Sequence, residues 1–157
     1  MKMRAVNDGK VRPSPLPPDM WATWSQRNPP QQWIMYQWEQ PETLNASSLH
    51  FWGDRGAGSG VGVAPPKAWR LEYWDGTVWK AVSASSPYTS TLNVDTKIDF
   101  APVTTRCLRA VFDASTDGAS FAAVALQEWE AFSTRTRPPR RPSVKGATTV
   151  NCSSDAR

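Results

Sequence analysis

The sequence has one histidine, two cysteines and no long apolar run among its 157 residues. A single histidine cannot build a multi-histidine metal site, and His50 has no cysteine or serine partner in a recognisable nucleophile motif. No segment approaches the ~20 consecutive apolar residues that a membrane-spanning helix needs. The glycines of residues 56–62 are not followed by a helical pattern, so they do not indicate a phosphate-binding loop. We therefore expect no enzymatic activity and no membrane span.

The two cysteines differ in their surroundings. Cys107 lies in a predicted strand, and Cys152 lies in a polar C-terminal stretch. This arrangement favours one small buried hydrophobic residue and one stray thiol over a disulfide bond.

The net charge of +4 is distributed unevenly along the chain. Residues 134–157 contain six basic residues and one acidic residue, whereas residues 1–133 contain twelve basic and thirteen acidic residues. Proteins that bind nucleic acid normally carry a basic patch on the folded domain itself. We therefore expect no nucleic-acid partner. The sequence predicts one folded domain over residues 1–133 and a basic, proline-rich, flexible tail over residues 134–157.

Short apolar or alternating runs separated by turn residues predict an all-β chain. The predicted strands are residues 33–38, 47–54, 68–74, 77–82, 94–100, 104–113 and 122–132. The last run also has a helix-favouring composition, but its position after a series of strands makes a strand more consistent. About seven or eight strands of this kind predict a jelly-roll β-sandwich.

The segment "WRLEYWDGTVWKAV" predicts a β-hairpin. Asp75-Gly76 indicates a two-residue type I′ turn, in which both central residues have positive φ. Leu71, Tyr73 and Trp79 are expected to pack between the sheets.

The nine tryptophans exceed what a core of this size needs. A flat indole face suits a pyranose ring, and polar neighbours can supply directional hydrogen bonds, which is the general composition of a ligand site. Trp21 and Trp24 are predicted to lie in a loop, where they either contact a ligand or cap one end of the sandwich.

Several motifs in order resemble one fold family. They are "NDG", "WIMYQWEQP", "WRLEYWDGTVWKAV", "FAPVTTRCLRAVF" and "QEWE", and the resemblance covers about residues 5–132. The chain resembles discoidin-like (coagulation-factor C-type), galactose-binding-like domains, and within them the accessory domains of bacterial secreted glycoside hydrolases. The family's strand before "NDG" has no counterpart here.

The resemblance implies an eight-stranded jelly roll that binds carbohydrate through loops at one end, without catalysis. It also implies a structural Ca²⁺, for which Asp8 and Glu128 match the motif positions of the ligands; oxygen ligands of this kind suit Ca²⁺. The usual threonine-containing calcium loop is replaced by "KVRPSPLPPD".

We therefore predict a non-catalytic module that targets an associated glycoside hydrolase to plant or microbial polysaccharide. Its predicted ligand-binding residues lie in two loops, with Trp21, Trp24 and Gln26 in the first and Trp52, Asp54 and Arg55 in the second. Two alternatives stay open: an accessory domain that packs on a catalytic neighbour without a ligand, and a protein- or lipid-binding discoidin domain. Residues 1–10 lack the apolar stretch of a signal peptide. The resemblance to domains of secreted enzymes nevertheless implies an extracellular or periplasmic location, as part of a secreted protein.

Overall fold

The structure is a computed structural model, and it describes residues 20–134, the backbone of residues 143–145, and Cys152. Asp8 and most of the predicted tail lie outside these residues. The described strands are β1 (Trp21–Ala22), β2 (Gln31–Trp52), β3 (Ala68–Trp74), β4 (Trp79–Ala81), β5 (Asp95–Asp113), β6 (Ala125–Ser133) and β7 (Ser143–Lys145). Within this part of the chain there is no helix, and so none that is long and apolar enough to cross a membrane. The prediction of an all-β chain is confirmed.

Two long strands, β2 and β5, run antiparallel and belong to both layers of the sandwich. Residues 31–37 of β2 pair with the end of β5, and residues 42–50 pair with its beginning. The register shifts between Gln37 and Glu42 and again between Leu44 and Ala46. Such bulges bend a strand, so one ladder folds into two packed layers.

The first layer has the order β4-β3-β5-β2-β7, and the second has β5-β2-β6-β1. The predicted strands 33–38 and 47–54 are one continuous strand here. Pro41 does not end it, because it lies at the register shift, where proline has no ladder hydrogen bond to remove.

The core between the layers is built mainly from aromatic and branched side chains. Trp38, Trp129 and Tyr36 are its largest fully buried members. The indole N–H of Trp129 donates to the hydroxyl of Ser47 at 2.7 Å, so its polar atom is satisfied inside the core. Because β2 and β5 bend between the two layers, both ends of each strand lie at one end of the sandwich, together with the segments next to them.

The β3–β4 hairpin is confirmed, but its predicted two-residue turn is wrong. Trp74 pairs with Trp79, and the four residues between them form the connection. Gly76 has a φ of 102°, and Asp75 is not among the residues with positive φ. The Asp75 carboxylate instead accepts the N–H of Val78 at 2.8 Å, and this bond, with the Lys80 ammonium, lowers the pKa of Asp75 to about 2. The turn is therefore stabilised by a side-chain hydrogen bond, and it does not have the predicted type I′ conformation.

The prediction of unpaired cysteines is wrong, because Cys107 and Cys152 form a disulfide bond. The prediction of a free C-terminal tail is corrected at two points. The backbone of residues 143–145 pairs with Met35–Gln37 on the open side of β2, and Cys152 is buried against Met35 and Cys107. Three residues of strand and one crosslink attach this segment to the sandwich, which the local composition of the tail did not indicate. By contrast, the strand predicted over residues 122–132 is confirmed as β6.

Candidate functional site

A groove with a volume of ≈ 710 Å³ lies at the end of the sandwich where β2 and β5 begin and end. Three segments line it, namely residues 24–30 between β1 and β2, residues 60–62 between β2 and β3, and residues 119–121 between β5 and β6. Connections gathered at one end of a rigid sandwich are common positions for binding sites.

Asn28 fixes the first segment. Its side-chain oxygen accepts the backbone N–H of Ser25 at 3.0 Å and the Ser25 hydroxyl at 3.1 Å. Its side-chain N–H donates to the carbonyl of Phe121 at 3.2 Å, which joins the first wall of the groove to the third. Pro29 and Pro30 follow and restrict the backbone further. The first wall is therefore held in one conformation before any ligand binds.

The second wall depends on close backbone packing. The hydroxyl of Ser120 donates to the carbonyl of Gly60 at 2.7 Å. A Cβ atom on Gly60 would approach the carbonyl oxygen of Ser120 to 2.7 Å, so only glycine fits there. The carboxylate of Asp117 accepts the N–H groups of Ser120 and Ala119, and these bonds lower the pKa of Asp117.

The groove combines apolar surface with a few polar groups. Trp24 is 61% exposed and Val61 is 57% exposed, which are the two highest values among the exposed large hydrophobic residues. Gln26 and Arg27 are also exposed, and neither forms a hydrogen bond or ion pair with another described residue. An exposed indole, beside side chains whose hydrogen-bonding groups have no partner among the described residues, can bind a ligand that has both a flat apolar face and polar substituents.

The structure separates the three tryptophans that the sequence assigned to this site. Only Trp24 lines the groove. Trp21 is 6% exposed and pairs with Leu126 through β1, and Trp52 is 5% exposed at the end of β2. The predicted loop position is therefore wrong for Trp21 and Trp52, because both strands extend far enough to place these indoles in apolar clusters. The alternative interpretation of Trp21, packing at the end of the sandwich, describes its position.

The other predicted residues lie at or near the groove. Gln26 lines it. Asp54 and Arg55 are exposed behind Gly62, and the Asp54 carboxylate accepts the N–H of Val63 at 2.9 Å. The two predicted loops do border one groove, although the second contributes Gly60, Val61 and Gly62 rather than Trp52. Whether these residues bind a ligand stays a prediction.

Sequence reasoning missed the third wall of the groove, residues 119–121. It predicted a turn at residues 115–120, which is confirmed by a φ of 93° at Gly118 and by the hydrogen bonds of Asp117. No local pattern indicates that this turn faces residues 24–30, about ninety positions earlier. Arg27 and Asn28 could have been found, because they lie beside Gln26 in the same loop.

The calcium prediction is untested. Glu128 lies in β6 opposite His50 and is buried, and Asp8 lies outside the described residues. His50 itself is held through Nδ1, which lies 2.8 Å from a carboxylate oxygen of Asp95. Among residues 20–134 and Cys152, no three histidine, cysteine or acidic side chains are grouped so that they could hold a metal ion.

A second aromatic cluster covers the outer face of the first layer. Trp74 and Trp79 meet edge to face with centroids 5.4 Å apart, and the guanidinium of Arg109 lies 4.2 Å from the centre of the Trp79 ring. Arg109 also bonds Glu72 at 2.7 Å. Trp79 therefore does not pack between the sheets as predicted. Because the charges of this cluster are paired with one another, the groove is the better candidate for a ligand site.

No family model matches the chain. Solved structures do share its fold. A chain of the Streptococcus pneumoniae beta-galactosidase BgaA is 17% identical, with a TM-score of 0.68 over 85% of this chain and 88% of that one. A chitosan-binding module from a chitosanase/glucanase of Paenibacillus sp. IK-5 is 18% identical, with a TM-score of 0.54 over 84% of this chain and 85% of that one. The module CBM32-1 from a family 31 glycoside hydrolase of Clostridium perfringens is 15% identical, with a TM-score of 0.55 over 84% of each chain.

At these identities the likeness establishes the fold. The chain has the discoidin-like, galactose-binding-like β-sandwich fold of these structures, as its motifs predicted.

Proposed function

We propose that the chain is a non-catalytic carbohydrate-binding module that targets an associated glycoside hydrolase to polysaccharide. The observation that carries this proposal is the position of Trp24, a largely exposed indole in the wall of a groove at the loop end of the sandwich. Solved structures with the same fold include a chitosan-binding module and a pectin-binding module, which supports the ligand class.

The groove suits a sugar for physical reasons. A pyranose ring presents an apolar face of C–H groups, which gains from burial against the indole of Trp24. Its hydroxyl groups exchange hydrogen bonds with water for bonds with Gln26 and Arg27. Because Asn28 holds the loop in place, little conformational entropy is lost when the ligand binds.

The proposed absence of catalysis rests on the chemistry of the groove. The only histidine, His50, is buried and bonded to Asp95, and it does not line the groove. The lining residues include no carboxylate, whereas glycoside hydrolysis ordinarily needs two. Binding is the activity that these side chains can support.

The extracellular setting has a separate support. Disulfide bonds form and persist mainly in oxidising compartments, and the Cys107–Cys152 bond joins the C-terminal segment to the sandwich. A module of a secreted glycoside hydrolase would work in such a compartment.

Affinity gel electrophoresis in gels containing plant, fungal and bacterial polysaccharides tests the proposal. The wild-type chain should be retarded by at least one polysaccharide. Trp24→Ala should weaken the retardation roughly tenfold or more, since burial of a large apolar side chain is worth ~1.5–3 kcal/mol. Trp24→Tyr, which keeps a flat ring, should restore part of it.

Val94→Ala is the matched control, because Val94 is 45% exposed and does not line the groove. It should bind like the wild type. Absence of retardation in every gel would overturn the proposal and leave the accessory domain that only packs on a catalytic neighbour. Equal retardation of Trp24→Ala and the wild type would show that the groove is not the site.

A further inference from the structure

We infer that the groove recognises acidic sugars, with the guanidinium of Arg27 binding the carboxylate of a uronate ring. This inference rests on the proposed function and names its ligand class. The inference depends on the charge of the residues that line the groove. Arg27 is the one charged side chain among them, and it has no ion-pair partner in the described part of the chain.

The nearby carboxylates do not neutralise Arg27. Asp117 lies behind Gly60 and accepts the N–H groups of Ser120 and Ala119. Asp54 lies behind Gly62 and accepts the N–H of Val63. Each carboxylate is bonded to its own loop, and neither lies within ion-pair distance of Arg27.

Arg55 differs from Arg27 in its position. Its side chain lies against Gly62 and donates to the carbonyl of Asp54 at 3.5 Å, beside a carboxylate on the neighbouring residue. Arg55 is not among the residues that line the groove. Arg27 is the cation that an anionic ligand would meet first.

The loop presents Arg27 in a prepared position. It follows Gln26 and precedes Asn28, whose side chain is bonded to both Ser25 and Phe121. Pro29 and Pro30 come next. Trp24 and Arg27 thus extend from one short, fixed segment into the same groove.

The two side chains match two parts of a uronate. The C–H face of the ring can lie on the indole of Trp24, while the carboxylate at the ring edge accepts two parallel N–H bonds from the guanidinium. This bidentate geometry is specific to planar oxyanions, and it makes arginine a better receptor for carboxylate than lysine is.

Calorimetric titration with four probes tests the inference. They are an oligogalacturonate, its fully methyl-esterified form, an oligomannuronate and a sulfated galacto-oligosaccharide. The ester keeps the ring and removes the charge, so it should bind roughly tenfold more weakly than the acid, because it cannot accept charge-assisted hydrogen bonds from the guanidinium. Affinity for the acid should also fall as salt is raised, since screening weakens exposed charge pairs.

Arg27→Gln should lose this preference and bind acid and ester alike. Arg106→Gln is the control of equal charge change, because Arg106 is exposed and bonds the carbonyl of Glu39 in the bulged part of the sandwich, outside the groove-lining residues. It should retain the preference.

The outcomes separate the two proposals. Binding of neutral and acidic probes with equal affinity by the wild type would overturn acidic recognition and leave carbohydrate binding intact. Preference for the sulfated probe over both uronates would overturn the carboxylate assignment. If the proposed function itself is wrong, no probe and no polysaccharide gel will bind the chain.

Discussion

Cys152 is bonded to Cys107 across 45 residues of sequence, and both lie on the outer face of the first layer beside Met35. The bond closes a loop that contains the end of β5 from Cys107 onward and all of β6 and β7. It is therefore the covalent link between the C-terminal segment and the sandwich.

Reduction or Cys152→Ser should lower the free energy of unfolding by about 2–4 kcal/mol, because an unfolded chain without the crosslink gains conformational freedom. Urea denaturation of the oxidised, reduced and substituted chains measures this difference. The reduced wild type and Cys152→Ser should unfold at similar urea concentrations. A denaturation midpoint that does not change on reduction would contradict a stabilising role.

Glu72 joins two arginines on the same outer face. Its carboxylate accepts Arg109 at 2.7 Å and Arg70 at 2.9 Å. Burial alone would raise the pKa of Glu72, but the hydrogen bonds and charges of both arginines outweigh burial and lower it below 4.5.

Glu72→Gln should therefore destabilise the fold by about 1–3 kcal/mol at neutral pH. A depressed pKa contributes stability that is present above the unfolded value, near 4.5, and is lost as the pH falls through the folded value. The gap between wild type and variant should accordingly close below about pH 4, where thermal or urea unfolding can follow it.

Glu39→Gln serves as the comparison, since Glu39 is exposed and its side chain forms no ion pair with a described residue. Its effect should stay within about 0.5 kcal/mol at every pH. A constant gap between wild type and Glu72→Gln down to pH 3 would argue against the charged pairing.

Two glycines of the same loop should respond differently to alanine. At Gly60 the added Cβ would press on the Ser120 carbonyl and the Asp117 side chain, whereas at Gly56 it would meet no atom within 4 Å. Gly60→Ala should cost about 1–3 kcal/mol and disturb the second wall of the groove. Gly56→Ala should be neutral or slightly stabilising. Equal stability and equal glycan affinity of the two variants would refute the packing argument.

The sequence allowed the fold to be predicted because strand periodicity and turn residues are local signals. The alternation of Leu108, Ala110 and Phe112 predicted a buried face, and all three are fully buried. What it missed depends on long-range placement. The pairing of residues 143–145 with β2 brings Cys152 near Cys107. No local sequence pattern in either segment indicates this pairing.

The candidate site was predicted only in part, because some of its residues have local sequence signals and others depend on long-range placement. Trp24 and Gln26 lie in a loop that proline and polar residues mark out, and both line the groove. Trp21 and Trp52 lie at strand ends, where each pairs with β6 and is buried. Their environment depends on where each strand ends, which is poorly determined by propensity.

Chemical-shift mapping can identify which tryptophan contacts the ligand. The ¹⁵N-labelled chain is titrated with the polysaccharide fragment that retards it, and the nine indole N–H signals are assigned by single substitutions. If the groove is the binding site, the Trp24 indole and the Asn28 amide signals should shift in a saturable way, while those of Trp74 and Trp79 should not. Shifts confined to Trp74 and Trp79 would place binding on the outer face of the first layer and contradict binding in the groove.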